Sequence, residues 1–89
     1  MNNIHEISKL VKNIYTEAEI ENFFKELLTE SEIETLSKRW RILKLLQEGA
    51  TQREIAKELQ VSLCKVTRGA KILKDEKSVL NKYLMKEKL

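Results

Sequence analysis

The chain has no proline, two glycines, one cysteine and one histidine among its 89 residues, and aromatic side chains make up 6% of it. With nothing to break helices and with Lys, Glu, Leu and Ile abundant, long helices with short connections are favoured and a sheet is not. The single Cys64 excludes an internal disulfide and agrees with a reducing compartment. His5 has no second histidine or cysteine at ligand spacing, which leaves metal binding and nucleophilic catalysis without a basis. No phosphate-binding glycine loop is present, and the glutamates of the first three helical stretches fall opposite the apolar stripes, as solvated surface rather than paired catalytic carboxylates. An enzyme is therefore not expected, nor any cofactor. No apolar run is long enough to span a bilayer and the amino terminus lacks the basic-then-apolar layout of a signal peptide, so the expectation is a cytoplasmic protein without a membrane partner.

What is present is unevenly charged. Residues 1–49 carry seven basic and nine acidic side chains, a net of −2, and residues 50–89 carry ten and five, a net of +5. A positive half suits a surface that meets phosphates, although a lysine-rich solvated face has the same composition. The length corresponds to one domain over 1–89 whose core would be marginal in a monomer, and oligomerisation is the expected remedy.

Apolar periodicity marks six helices. Ile4, Ile7, Leu10, Val11 and Ile14 give a first from about 3 to 15. Thr16 with Glu19 forms a capping signature before Ile20, Phe23, Phe24, Leu27 and Leu28. Thr29 with Glu32 repeats it and starts the longest helix, which carries Ile33, Leu36, Trp40, Leu43 and Leu46 to a stop at Gly49. Ile42 and Leu45 widen its stripe to a second face, which in so small a protein suggests a partner chain. Trp40 is expected in the core. The basic Lys38, Arg39, Arg41 and Lys44 around it suit phosphate contacts, interface pairs or an anion pocket equally. Asp75 is placed to cap a last helix, from about Glu76 to Lys88, with Val79, Leu80, Tyr83 and Leu84 inward.

Between these lies Thr51 to Lys74, which reads as helix, tight turn, helix. Thr51 and Glu54 make a capping box, Ser62 caps the second helix, and Val66, Gly69, Ile72 and Leu73 face inward. Steeply crossed helices need a small contact residue, supplied by Ala56; the turn wants a residue tolerant of positive φ, where Gln60 stands; Val61 and Val66 complete the spacing of a helix-turn-helix that reads the DNA major groove. The plainer alternative is an αα-hairpin of a bundle. On the groove-reading model, Gln52 and Arg53 in the first helix and Leu63, Cys64, Lys65 and Thr67 in the second approach the groove. Arg53 is suited to a guanine edge, and Lys65, Lys71 and Lys74 to phosphates. Cys64 fits either DNA contact or packing at the helix start. Gly69 costs helix stability, about 1 kcal/mol relative to alanine, so something is expected to approach the backbone there.

Three stretches, LLTESE at Leu27 to Glu32, SKRWRILKLLQEG at Ser37 to Gly49, and TQREIAKEL followed by VTRG and LK ending at Lys74, resemble the tryptophan repressor family of bacterial DNA-binding proteins. The resemblance implies an intertwined homodimer, a double-stranded DNA operator, and L-tryptophan as corepressor acting on tryptophan biosynthesis genes. It also implies an indole held between Arg39 and Arg68, Thr29 at the amino acid's polar end, and Gly69 close to the ring. Gln52, Arg53, Leu63, Cys64, Thr67 and Lys74 match the family's DNA-contacting positions. Three departures stand out. Ile72 replaces a serine that contacts the ligand's amino group, Gln60 replaces the usual turn glycine, and the turn at Gly49 to Thr51 is one residue shorter, which leaves Arg41 as an alternative to Arg39. A ligand-independent regulator of the same fold and a helical protein-interaction module are the other readings.

Overall fold

The computed structural model describes residues 2–85, and every regular element among them is helical. In order these are α1 (Ile4–Lys12), α2 (Glu17–Leu27), α3 (Glu30–Gln47), α4 (Gln52–Leu59), α5 (Leu63–Lys74) and α6, a single π-helical stretch at Asn81–Met85. The expected all-α class and six-helix count hold. So do the starts of α2 to α5, because each is fixed by a side chain three residues from the donor it satisfies. The hydroxyls of Thr16, Thr29 and Thr51 accept from the backbone N–H of Glu19, Glu32 and Glu54, each at 3.2 Å, and Ser62 accepts from Lys65 at 3.4 Å. At Thr29 and Thr51 the glutamate carboxylate also accepts the cap's own N–H, at 2.9 and 3.0 Å.

The two stops that frame α4 are left-handed. Gly49 has φ 97°, and the N–H of Ala50 reaches back to the carbonyl of Leu45 at 3.0 Å. Gln60 has φ 54°, and Val61 reaches Ala56 at 3.1 Å. Both are Schellman-type closures; at Gln60 the Cβ makes this conformation cost about 1 kcal/mol that glycine would not incur.

By its internal contacts the chain divides into two units, Met1–Glu34 and Thr35–Leu89. The first contains α1, α2 and the opening turn of α3. Its apolar stripes form as the periodicity requires, yet among its described residues none is buried: Ile4, Leu10 and Leu27 are more than half exposed, and Ile7, Val11, Ile14, Ile20, Phe23, Leu28 and Ile33 are half-buried. The rings of Phe23 and Phe24 meet edge to face at 5.5 Å between centroids.

The second unit holds the buried side chains. Ile42 of α3, Ile55 of α4 and Val66 of α5 form one cluster, with Leu45, Leu46, Ala50, Ala56, Leu59 and Val61 packed around it. Leu43, Leu73 and Leu84 form another, flanked by Leu80 and, again, Leu46. Ile55 and Val66 are essentially inaccessible, at 1% and 0%, and each such side chain stabilises by about 1.5–3 kcal/mol relative to exposure. Two amides tie α6 down: buried Gln47 donates through Nε2 to the carbonyl of Leu84, and Asn81 through Nδ2 to that of Leu73.

Two expectations are corrected here. Trp40 is not core: it is 47% exposed, with the Lys44 ammonium 6.0 Å from its ring centroid. Leu36, one turn before it, is likewise exposed. The last helix does not start at Asp75, whose carboxylate instead accepts from the N–H of Lys77 at 2.9 Å and makes a local turn after α5. Ser78 takes the cap, accepting from Asn81 at 3.2 Å. Starting later, α6 buries Leu84 and leaves Tyr83 exposed, while just before it Leu80 is half-buried and Val79 exposed. The expected continuation toward Lys88 lies outside the described residues.

Candidate nucleic-acid interface

Burial divides α5 lengthwise. Val66, Gly69, Ala70 and Leu73 face the core, while Leu63, Cys64, Lys65, Arg68, Lys71 and Lys74 are exposed and Thr67 is half-buried between. Spacings of three, one and three residues among the buried positions are those of one helical face, so the division follows from period 3.6. The small Ala56 and the left-handed Gln60 let α4 and α5 pack across a three-residue turn, and Val66 is the contact residue. The exposed early residues of α5 and the first turn of α4, Gln52 and Arg53, carry the side chains proposed for a groove.

An open groove of about 470 Å³ runs along the outer side of α5, lined by Leu63, Cys64, Thr67, Arg68, Lys71 and Ile72. It holds two cations and no acid, and its apolar rim is set by Leu63 and Ile72. Expected DNA contacts and the expected ligand arginine therefore share one surface, divided by where they sit along the helix. Ile72, which the apolar spacing placed inward with Val66, Gly69 and Leu73, is instead half-buried and lines this groove beside Arg68.

One feature had no local signal. Thr67 donates its hydroxyl to Oε1 of Gln52 at 2.8 Å, joining α5 to the first residue of α4 across fifteen positions of sequence. The two were expected to act on DNA separately; they form a pair.

The residues expected around the indole are placed as follows. Gly69 is buried, and a Cβ added there would meet Ile42 at 3.1 Å, Leu46 at 3.4 Å and Leu43 at 3.6 Å. The close approach anticipated at this glycine is thus made by side chains of α3, and packing alone accounts for the absence of a side chain. Arg39 lies three, four and seven positions before Ile42, Leu43 and Leu46, on the face of α3 that meets α5 at Gly69. Arg41 lies off that face, with a guanidinium Nη2 3.9 Å from the Glu58 carboxylate of α4. An exposed pair of this length contributes little stability. Arg68 is exposed. Thr29 belongs to the other unit, where its hydroxyl oxygen caps α3.

The capping box at the start of α4 leaves an electrostatic trace. Hydrogen bonds from the backbone and then the hydroxyl of Thr51 hold the Glu54 carboxyl below its ordinary range. Among the described residues no group of acids, histidines and cysteines is disposed to hold a metal ion, and no helix is long and apolar enough to cross a membrane.

Fold and surface together define an all-helical helix-turn-helix protein. The family model described as "Trp repressor protein" matches residues 2–88, and the chain belongs to that family, one of transcription regulators rather than enzymes. Two curated relatives from Chlamydia trachomatis, of serovars L2 and L2b, each called "Trp operon repressor homolog", are 40% identical over 53 residues, which is 58% of this chain. The match spans about half of their length, 56%. No solved structure shows significant similarity.

Proposed function

We propose that the chain is a homodimeric repressor that binds a double-stranded DNA operator, with L-tryptophan as corepressor, acting on tryptophan biosynthesis genes. The observation that carries this reading is the division of α5, whose inner face anchors it to α3 and α4 while its outer face gathers Leu63, Cys64, Thr67, Arg68 and Lys71. Arg53 recognises a guanine edge, Lys65, Lys71 and Lys74 neutralise phosphates, and Gln52, Leu63, Cys64 and Thr67 face the bases and their surroundings. The uncovered stripes of α1 and α2, with exposed Leu36 and Trp40 on α3, support pairing with a second copy of the chain, which would cover them without any further segment.

In this reading L-tryptophan stacks between Arg39 and Arg68, beside Gly69, with Thr29 binding the polar end. Arg68 has the planar fork that grips a carboxylate. The position of Arg39 on the α3 face that meets Gly69, against Arg41 turned to Glu58, favours Arg39 for this role. A ligand wedged there would bias α5 toward the pose that enters the groove, and DNA and ligand would strengthen each other by the same factor.

A second reading, a ligand-independent operator-binding protein, is favoured by one residue: Ile72 puts an apolar side chain in the groove beside Arg68, where an ammonium group would need an acceptor. Titration calorimetry of the folded dimer with L-tryptophan separates the two. Heat of binding with coupled gain in DNA affinity supports the corepressor; no heat at millimolar ligand leaves the ligand-independent protein.

A further inference from the structure

The bond between Thr67 and Gln52 bears on which base the protein selects. A glutamine amide presents an acceptor oxygen and two N–H donors, and the usual pairing with adenine uses both atoms, the oxygen accepting from N6 and the nitrogen donating to N7. Here the oxygen already accepts the Thr67 hydroxyl at 2.8 Å, between two half-buried side chains. Threonine has two χ1 rotamers open to it within a helix, one of which here aims the hydroxyl at Gln52, and Gln52 sits in the first turn of α4, whose backbone is fixed by the Thr51–Glu54 box. The oxygen's acceptor capacity is thereby partly used and the amide's plane is set by a neighbour on the other motif helix. What Gln52 retains in full is its pair of donors.

We propose that Thr67 is a positioning residue that holds Gln52 as a hydrogen-bond donor, so that Gln52 selects guanine, whose major-groove edge offers the acceptors N7 and O6, over adenine. The inference rests on the DNA-binding reading above and adds a base preference and its cause. It also gives the single proton of the Thr67 hydroxyl to Gln52 rather than to a phosphate.

The test is selection from a random duplex library with the full chain as dimer, in the presence of L-tryptophan, for the wild type, Gln52→Ala, Thr67→Val and Thr67→Ser. The wild type is expected to enrich guanine at one operator position that Gln52→Ala leaves unselected. Thr67→Val, which keeps shape and β-branching but removes the hydroxyl, should reduce the guanine-over-adenine ratio at that position by about tenfold, and Thr67→Ser should restore it. Equal helicity and melting of the variants exclude a folding effect. Uniform weakening by Thr67→Val with the base preference intact would make Thr67 a phosphate contact and overturn the proposal. So would an unchanged selection with Gln52→Ala. If the wild type binds duplex DNA in no sequence, the DNA-binding reading fails first and takes this inference with it.

Discussion

The two units of this chain use the same local devices and differ in what they do with them. Both have helices started by threonine caps and lined with apolar residues at helical spacing, yet only the unit from Thr35 onward has buried side chains, and the described residues of the unit up to Glu34 have none. Caps and periodicity are properties of a few neighbouring residues, whereas burial needs a complementary surface elsewhere. The second unit has that surface in its own sequence, in Ile42, Ile55 and Val66. The stripes of α1 and α2 need theirs from a second copy in the proposed dimer.

The largest effect should fall where burial is complete. Ile55→Ala removes a side chain that is 1% exposed at the junction of α3, α4 and α5, and should lower stability by about 2–5 kcal/mol in chemical denaturation. A loss under about 1 kcal/mol would mean that the cluster collapses readily and that the contrast between the units is smaller than burial implies.

Phe23→Ala sharpens the contrast from the other side. If a second copy covers α2, the melting midpoint of wild type should rise with protein concentration, and the substitution should lower it most in dilute solution, with dissociation visible by sedimentation equilibrium. A concentration-independent midpoint that Phe23→Ala leaves unchanged would break the pairing proposed for the first unit.

The turn between α4 and α5 allows a gain. Gln60→Gly at φ 54° should stabilise by about 1 kcal/mol, because the left-handed conformation no longer strains a Cβ. The smallest effect concerns pH. The carboxyl of Glu54 titrates lower in the folded chain than its ordinary value of about 4.5, so its contribution is complete above that value and is lost as pH falls through the lower, folded-state titration. Acid unfolding followed by circular dichroism should therefore show a shallow decline that Glu54→Gln flattens. In a Thr51→Ala background, where the backbone N–H at position 51 still donates to Glu54 but the hydroxyl is gone, Glu54→Gln should flatten a smaller decline.

How legible the molecule is in its sequence follows the same division. The capping residues of α2 to α5, the stop at Gly49, the αL turn at Gln60 and the buried Val66 can be read directly, since each depends on spacing within one or two turns. The start of α6 could not be read so well, because Asp75 and Ser78 both suit a cap and the choice depends on Asn81 and Gln47 engaging distant carbonyls. Periodicity marked Trp40, Val79 and Tyr83 as apolar-face residues without saying whether anything covers them. Gly69 was recognised as a point of close approach, but its neighbours Ile42, Leu43 and Leu46 emerge only when α3 and α5 are packed. The Thr67–Gln52 bond, across two helices, has no sequence pattern at all.

The most direct test of the groove-reading role proposed for α4 and α5 is the salt dependence of duplex DNA binding by this chain with L-tryptophan, wild type against Lys74→Ala. Counterion release predicts a linear fall of log affinity with log salt for the wild type, and a slope shallower by about one for the variant. Binding that is absent at low salt, or equally salt-dependent with and without Lys74, would contradict it.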